Sequence, residues 1–97
     1  MTNIKTILIE DRISMKKLVA ENINELNDCI TNQFISNKDS DGINLFLDDF
    51  KKIYGVNRSV IINNIDFVLA AIVDDLHYNP QLRFNKSSGE YVIVVRF

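Results

Sequence analysis

The chain has 97 residues, of which 46% are hydrophobic and 25% are charged, and its formal net charge is −2. This size and apolar content suit one domain over residues 1–97, while the small negative charge excludes a protein that coats nucleic acid by bulk charge alone. One cysteine and one histidine exclude an internal disulfide and a Cys-rich zinc site.

Targeting and membrane signals are missing from the sequence pattern. No basic segment followed by an apolar one opens the chain, and no apolar run approaches the length of about 20 residues that spans a bilayer. We therefore expect a cytoplasmic protein with no membrane segment, no metal and no cofactor.

The first predicted element is a short strand at residues 4–9, IKTILI, because β-branched side chains favour strands. Glu10 and Asp11 follow it, where the receiver domains of response regulators hold a cation beside a phosphorylated aspartate. Those domains are longer and alternate strands with helices, whereas here two helical patterns run in succession after residue 42. We therefore interpret the two acids as solvated charges that lead into a helix.

Two helical patterns come next. A long amphipathic helix is predicted from residue 15 to about residue 35, with Ser14 as its N-cap. A polar loop follows at residues 37–42, and a short second helix is predicted over residues 43–53. Gly55 ends this helix, since glycine adopts the left-handed conformation of a helix C-terminus at little cost.

The last predicted elements are a third helix and a β-hairpin. The helix begins after Val56 and ends before Pro80, which cannot continue it. Residues 82–97 predict a hairpin whose turn is residues 87–89. The return strand is apolar on both faces, which is typical of a central strand, so the N-terminal strand is expected to pair with it. The predicted class is α+β: three helices and a small antiparallel sheet of the N-terminal strand and the hairpin.

Catalytic chemistry is not predicted. Adjacent acids such as Asp48 and Asp49 point roughly 100° apart on a helix and form no ready carboxylate dyad. Cys29 falls on an apolar helix face, where a thiol is usually inert, and His77 suits the C-terminus of a helix. The three glycines lack the spacing of a phosphate loop. We expect a protein that is not an enzyme.

Residues 46–65, FLDDFKKIYGVNRSVIINNI, resemble the helix-turn-helix of winged-helix DNA-binding proteins. The shared features are a short helix, Gly55 at a turn that needs positive φ, a polar start to the next helix, and Ile61 at a core spacing. Lys51 stands where the family favours a small residue, and Asn64 stands where it favours an aliphatic one. The hairpin stands in the place of the family's wing, so the resemblance covers the second half of the chain.

The resemblance implies a small DNA-binding protein, either a repressor or a plasmid or phage partition adaptor. The second helix of the pair would enter the major groove of double-stranded DNA, and the wing would contact the duplex beside it. A homodimer is implied because one short helix reads too few bases for useful specificity. The residues implied to contact DNA are Lys51, Lys52, Asn57, Arg58, Ser59, Asn63, Arg83 and Lys86.

A second hypothesis assigns function to the acidic residues instead. Short acidic domains without catalytic residues are common among phage and mobile-element proteins that bind and inhibit a host protein, such as anti-CRISPR proteins and nucleic-acid mimics. Their functional face would complement a basic groove of the partner. The acids of such a face here are Asp39, Asp41, Asp48, Asp49, Asp74 and Asp75.

Overall fold

The computed structural model describes the backbone of residues 4–96 and the side chains of residues 12–96. These residues form five α-helices, one π-helical segment and a three-stranded antiparallel sheet, which confirms the α+β class. The elements in chain order are α1 Ile4–Glu21, α2 Ile23–Ser36, β1 Gly42–Phe46, α3 Leu47–Tyr54, α4 Arg58–Asn63, α5 Ile65–Ala70, the π-helical segment Ala71–Asp75, β2 Asn79–Asn85 and β3 Glu90–Arg96.

The N-terminal strand predicted for residues 4–9 is wrong, because α1 begins at Ile4 and includes them. Ser14 lies inside α1, so it is not an N-cap either. The β-propensity of a residue mainly reflects how its side chain packs on the pleated surface of a sheet. It does not determine the structure of a segment that has no strand to pair with. The side chains of Glu10 and Asp11 lie outside the described residues.

The long first helix of the prediction is broken at Asn22, where α1 ends and α2 begins. Asn22 has φ −109° and ψ 27°, and its side-chain amide donates a hydrogen bond of 2.9 Å to the carbonyl of Leu18. An asparagine side chain that bonds the backbone in this way competes with the helical ladder. Beyond the break, α2 buries Leu26 and Ile30 against the sheet and α3.

The sheet has the order β1-β3-β2, with the predicted hairpin as β2 and β3 and with β3 at the centre. Its third strand is β1 rather than residues 4–9, so the prediction of helix from residue 43 is also wrong. Ile43 and Leu45 alternate with exposed residues along β1 and lie opposite Val95 and Ile93. This period of two identifies a half-buried strand. Phe97, with which the predicted hairpin ends, lies outside the described residues.

The hydrophobic core fills the space between one face of the sheet, here called the inner face, and the helices. The inner face carries the buried residues of β1 and β3, and each of the five helices adds at least one buried apolar side chain. The buried apolar residues are Met15, Val19, Leu26, Ile30, Ile43, Leu45, Leu47, Phe50, Tyr54, Ile61, Val68, Ala71, Ile72, Ile93 and Val95.

The single third helix of the prediction is likewise divided, into α4, α5 and the π-helical segment. The first division falls at Asn64, with φ −124° and ψ 22°. The helical chain ends where the N–H of Tyr78 donates to the carbonyl of Ile72 at 3.0 Å, after His77 at φ 62°. The ring of Tyr78 then packs edge-on against Phe34 at 5.5 Å between centroids. Within the described part of the chain, no helix is both long and apolar enough to cross a membrane.

Candidate nucleic-acid interface

The turn between α3 and α4 contains the predicted left-handed glycine. Gly55 has φ 68° and ψ 30°, and its N–H donates to the carbonyl of Lys51 at 2.8 Å, which closes the last turn of α3. Asn57 follows in an extended conformation, and its carbonyl accepts hydrogen bonds of 3.1 Å from Val60 and 3.2 Å from Ile61, which start α4. A short helix is thus joined to the next helix by a tight turn at Gly55, as the sequence predicts, although the sequence predicts a much longer second helix than α4.

The two departures from the helix-turn-helix pattern are both accommodated. Asn64 is buried, at 3% exposure, but its side-chain amide donates to the carbonyl of Val60 at 2.8 Å and its Oδ1 accepts from Arg12 at 3.5 Å. A buried amide with these partners avoids most of the penalty for losing water. Lys51 is exposed, so its long side chain does not separate α3 from α4.

Arg12 fastens α1 to the junction of α4 and α5. Its Nη2 lies 2.6 Å from Oδ2 of Asp66, its Nη1 donates to the carbonyl of Asn63 at 3.0 Å, and its guanidinium lies 4.4 Å from the ring centroid of Phe67. The hydrogen bond from Arg12 lowers the pKa of the Asp66 carboxyl. The first helix therefore packs within the chain and fixes the far end of α4.

Arg58, at the start of α4, links three elements. Its Nη2 lies 2.7 Å from Oδ1 of Asp48 in α3, and its Nη1 lies 2.6 Å from Oε1 of Glu90 at the start of β3. The hydrogen bond from Arg58 lowers the pKa of the Asp48 carboxyl. These pairs are exposed to solvent, which screens them and limits their effect on stability. Their geometric effect is larger, because they bring the start of α4 next to the hairpin turn.

The other residues predicted to contact DNA divide into two groups. Asn57, Ser59 and Asn63 are exposed on or beside α4, and no described residue engages their side chains by a hydrogen bond or ion pair. Arg83 lies on the hairpin. It alternates with inner-face residues along β2, is paired with Val92, and donates to Gln81 at 3.0 Å, so it lies on the face of the sheet opposite the inner face, as Glu90 does. The basic residues predicted to contact DNA are all exposed, and those that make no ion pair or hydrogen bond with a described residue are Lys51 and Lys52 in the last turn of α3 and Lys86 in the hairpin turn.

An exposed apolar cluster lies between α4 and the hairpin. We call Ile62, Leu82, Phe84 and Tyr91 the hairpin patch; their exposed fractions are 37%, 37%, 53% and 37%. The rings of Phe84 and Tyr91 are 5.0 Å apart, and a cleft of about 150 Å³ separates Leu82 and Tyr91 from the helices. The sequence prediction did not identify this patch. Its signal is the alternation of apolar residues along the hairpin, of which Phe84 and Tyr91 extend beyond the end of β1, where no described strand pairs with β3 on that side.

The predicted acidic face is divided by the fold. Asp48 accepts from Arg58, and Asp49 accepts a hydrogen bond of 2.9 Å from the N–H of Phe46 at the start of α3. Both carboxylates therefore have roles within the chain. The remaining acids are exposed in the loop before β1 and in the π-helical segment; they are Asp39, Asp41, Asp74 and Asp75.

Metal and thiol chemistry find little support in the described residues. They contain no group of three or more His, Cys, Asp and Glu side chains placed to hold a metal ion. Burial raises the pKa of the Cys29 thiol, which keeps it protonated and weakly nucleophilic at neutral pH. The chain matches no protein-family model, and neither a curated protein nor a solved structure is significantly similar to it.

Proposed function

We propose that the protein binds double-stranded DNA as a winged-helix domain, with α4 in the major groove and the hairpin turn as the wing. The observation that carries the proposal is the contact of 2.6 Å between Arg58 at the start of α4 and Glu90 at the start of β3. The N-terminal residues of the second helix meet the base edges in a helix-turn-helix. A wing beside those residues can therefore contact the same duplex, in a repressor or a partition adaptor.

The proposed contacts follow from side-chain chemistry and exposure. Asn57 and Asn63 carry the amide that pairs with adenine in the major groove, and Ser59 can bond either a base or a phosphate. The lysines at the end of α3 and in the hairpin turn suit phosphates, because an ammonium group acts as a point charge. Arg83 stays a proposed wing contact, because the register of β2 with β3 puts it on the same face of the sheet as Glu90, the ion-pair partner of Arg58. The proposed interface therefore keeps all the residues that the resemblance implies.

Arg58 can contact DNA only if it gives up its ion pairs with Asp48 and Glu90. In the free protein its guanidinium is held by Asp48 and Glu90, so a DNA phosphate or guanine edge must replace these carboxylates. We expect a variant with both Asp48→Asn and Glu90→Gln to bind DNA several-fold more tightly. The matched control is Asp39→Asn with Asp41→Asn, which removes the same charge from the loop before β1. Equal gains in affinity from the two variants would mean that net charge alone is responsible.

The test of the proposal is fluorescence anisotropy of a mixed-sequence duplex with the purified protein as salt is raised from low concentration. A DNA-binding domain shows log K falling linearly with log salt, with a slope of about 0.9 for each phosphate contact. Lys51→Ala with Lys52→Ala should lower the slope by about 1.8 if both lysines contact phosphates. The control, Lys16→Ala with Lys17→Ala on α1, should leave the slope unchanged.

Two results would count against the proposal. Flat anisotropy at every salt concentration, from protein whose circular dichroism shows it to be folded, would exclude DNA binding and direct attention to protein partners. Equal loss of slope in the two lysine variants would show that DNA is held by diffuse charge rather than by the helix pair.

A further inference from the structure

The strand β2 has an unpaired edge. In the order β1-β3-β2 it hydrogen bonds to β3 on one side, and no described strand pairs with the other. Six of its seven residues, Asn79–Asn85, are exposed. The free N–H and C=O groups of such an edge are a template for pairing with another chain. Pro80 lacks an N–H, but it stands near the end of the strand, so it leaves the middle of the edge intact.

The sequence of β2, NPQLRFN, has a polarity pattern that reads the same in both directions about Leu82. Its apolar residues Pro80, Leu82 and Phe84 share the inner face, and the polar ones share the opposite face. We propose that β2 pairs antiparallel with β2 of a second copy, about a two-fold axis at Leu82, and joins the two sheets into one. This inference does not depend on DNA binding.

The register centred on Leu82 matches side chains on both faces. Leu82 lies opposite Leu82 of the second copy, Pro80 opposite Phe84, and Gln81 opposite Arg83. The last pair is chemically suitable, since Arg83 already donates to Gln81 within one chain at 3.0 Å. Cross-strand pairs of this kind stabilise a sheet, whereas like charges directly opposite destabilise it.

Other registers are less favourable. A slip of one residue places apolar side chains opposite polar ones on each face. A two-fold axis at Arg83 places two guanidinium groups opposite each other. Only the register centred on Leu82 pairs all seven residues of the strand. It also extends the hairpin patch across the new contact and covers Leu82 and Phe84, which are 37% and 53% exposed.

A disulfide experiment tests the register in the full chain, on a Cys29→Ser background. Residues directly opposite in an antiparallel pair have Cα atoms about 5 Å apart, within reach of a disulfide. Leu82→Cys should therefore form an intermolecular disulfide under mild oxidation. Gln81→Cys should not, because two copies of Gln81 lie about 8 Å apart in this register. Gln81→Cys mixed with Arg83→Cys should cross-link as a heterodimer. Equal cross-linking of Leu82→Cys alone and Gln81→Cys alone would overturn the proposal.

Sedimentation equilibrium provides an independent measurement on the unmodified protein. The expected result is a rise from the monomer mass of 11.2 kDa towards twice that value as concentration increases. Leu82→Lys should abolish the rise, because it places two ammonium groups opposite each other at the axis. The control is Asn44→Lys, which adds the same charge at an exposed position on β1, on the other side of the sheet from β2. This variant should dimerise normally. A monomer at every concentration would refute the pairing.

Discussion

Replacing Gly55 with alanine tests whether the turn between α3 and α4 needs a left-handed residue. Gly55 has φ 68°, and a Cβ added there meets no heavy atom within 4 Å. The substitution therefore causes no steric overlap, and what remains is the cost of an L residue in the left-handed region, about 1–2 kcal/mol. Asparagine visits this region more readily, so Gly55→Asn should lose less stability than Gly55→Ala.

Gly42 provides the contrasting position. A Cβ there lies 2.7 Å from the carbonyl oxygen of Val95, so the obstacle is steric and asparagine should be no better than alanine. Urea unfolding followed by circular dichroism measures both pairs of variants. A loss of about 1 kcal/mol also lowers Tm by about 4–8 °C in a domain of this size. A Gly55→Ala variant as stable as the parent protein, or equal stability of the alanine and asparagine variants at this position, would show that the turn does not need a left-handed residue.

Three further predictions concern stability. The hydroxyl of Tyr54 is buried and finds no hydrogen-bond partner among the described residues. Tyr54→Phe should therefore raise the free energy of unfolding by up to about 1 kcal/mol, and a decrease would imply an unrecognised partner. Arg12→Met should lower the free energy of unfolding by about 1 kcal/mol, because it removes the exposed ion pair with Asp66 and the contact with the ring of Phe67. Urea unfolding measures this loss, and the control Lys16→Met should show little change. Because the pKa values of Asp48 and Asp66 are lowered in the folded state, their contribution is complete above the ordinary Asp pKa of about 3.9 and is lost as pH falls below it. Acid titration of Asp66→Asn should therefore show a shallower loss of stability in that range, and an unchanged acid limb would contradict this.

The elements that the sequence predicts correctly have local signals. Gly55 ends α3 through its own backbone conformation, and the helical chain ends before Pro80, as the sequence predicts, although the positive φ of His77 and not the proline marks its end. Residues 43–46 carry two patterns at once, because Ile43 and Phe46 fit a helix while Ile43 and Leu45 fit a strand. The choice depends on β3, which lies far away in the sequence. Residues 4–9 find no strand position beside β3, since β1 and β2 occupy both of its edges.

The residue types of the candidate site could be predicted from the sequence, but the ion pairs between them could not. The sequence indicates the polar start of α4 and the basic residues near it. Arg58 lies 10 positions from Asp48 and 32 positions from Glu90 in the sequence, so its ion pairs with them depend on the completed fold. The same holds for Arg83, whose face follows from the register of β2 with β3.

The π-helical segment Ala71–Asp75 bears on how the chain tolerates insertions and deletions. Its wide turn, closed by the N–H of Leu76 on the carbonyl of Ala71 at 3.1 Å, holds one residue more than an α-helical turn. Deleting the exposed Val73 would turn this contact into an ordinary α-helical hydrogen bond, because the wide turn already absorbs one extra residue. The residues after it would keep their positions, and the hairpin would leave the helices in nearly the same direction. Loss of a single codon in this segment would thus preserve the placement of the hairpin relative to the helix pair.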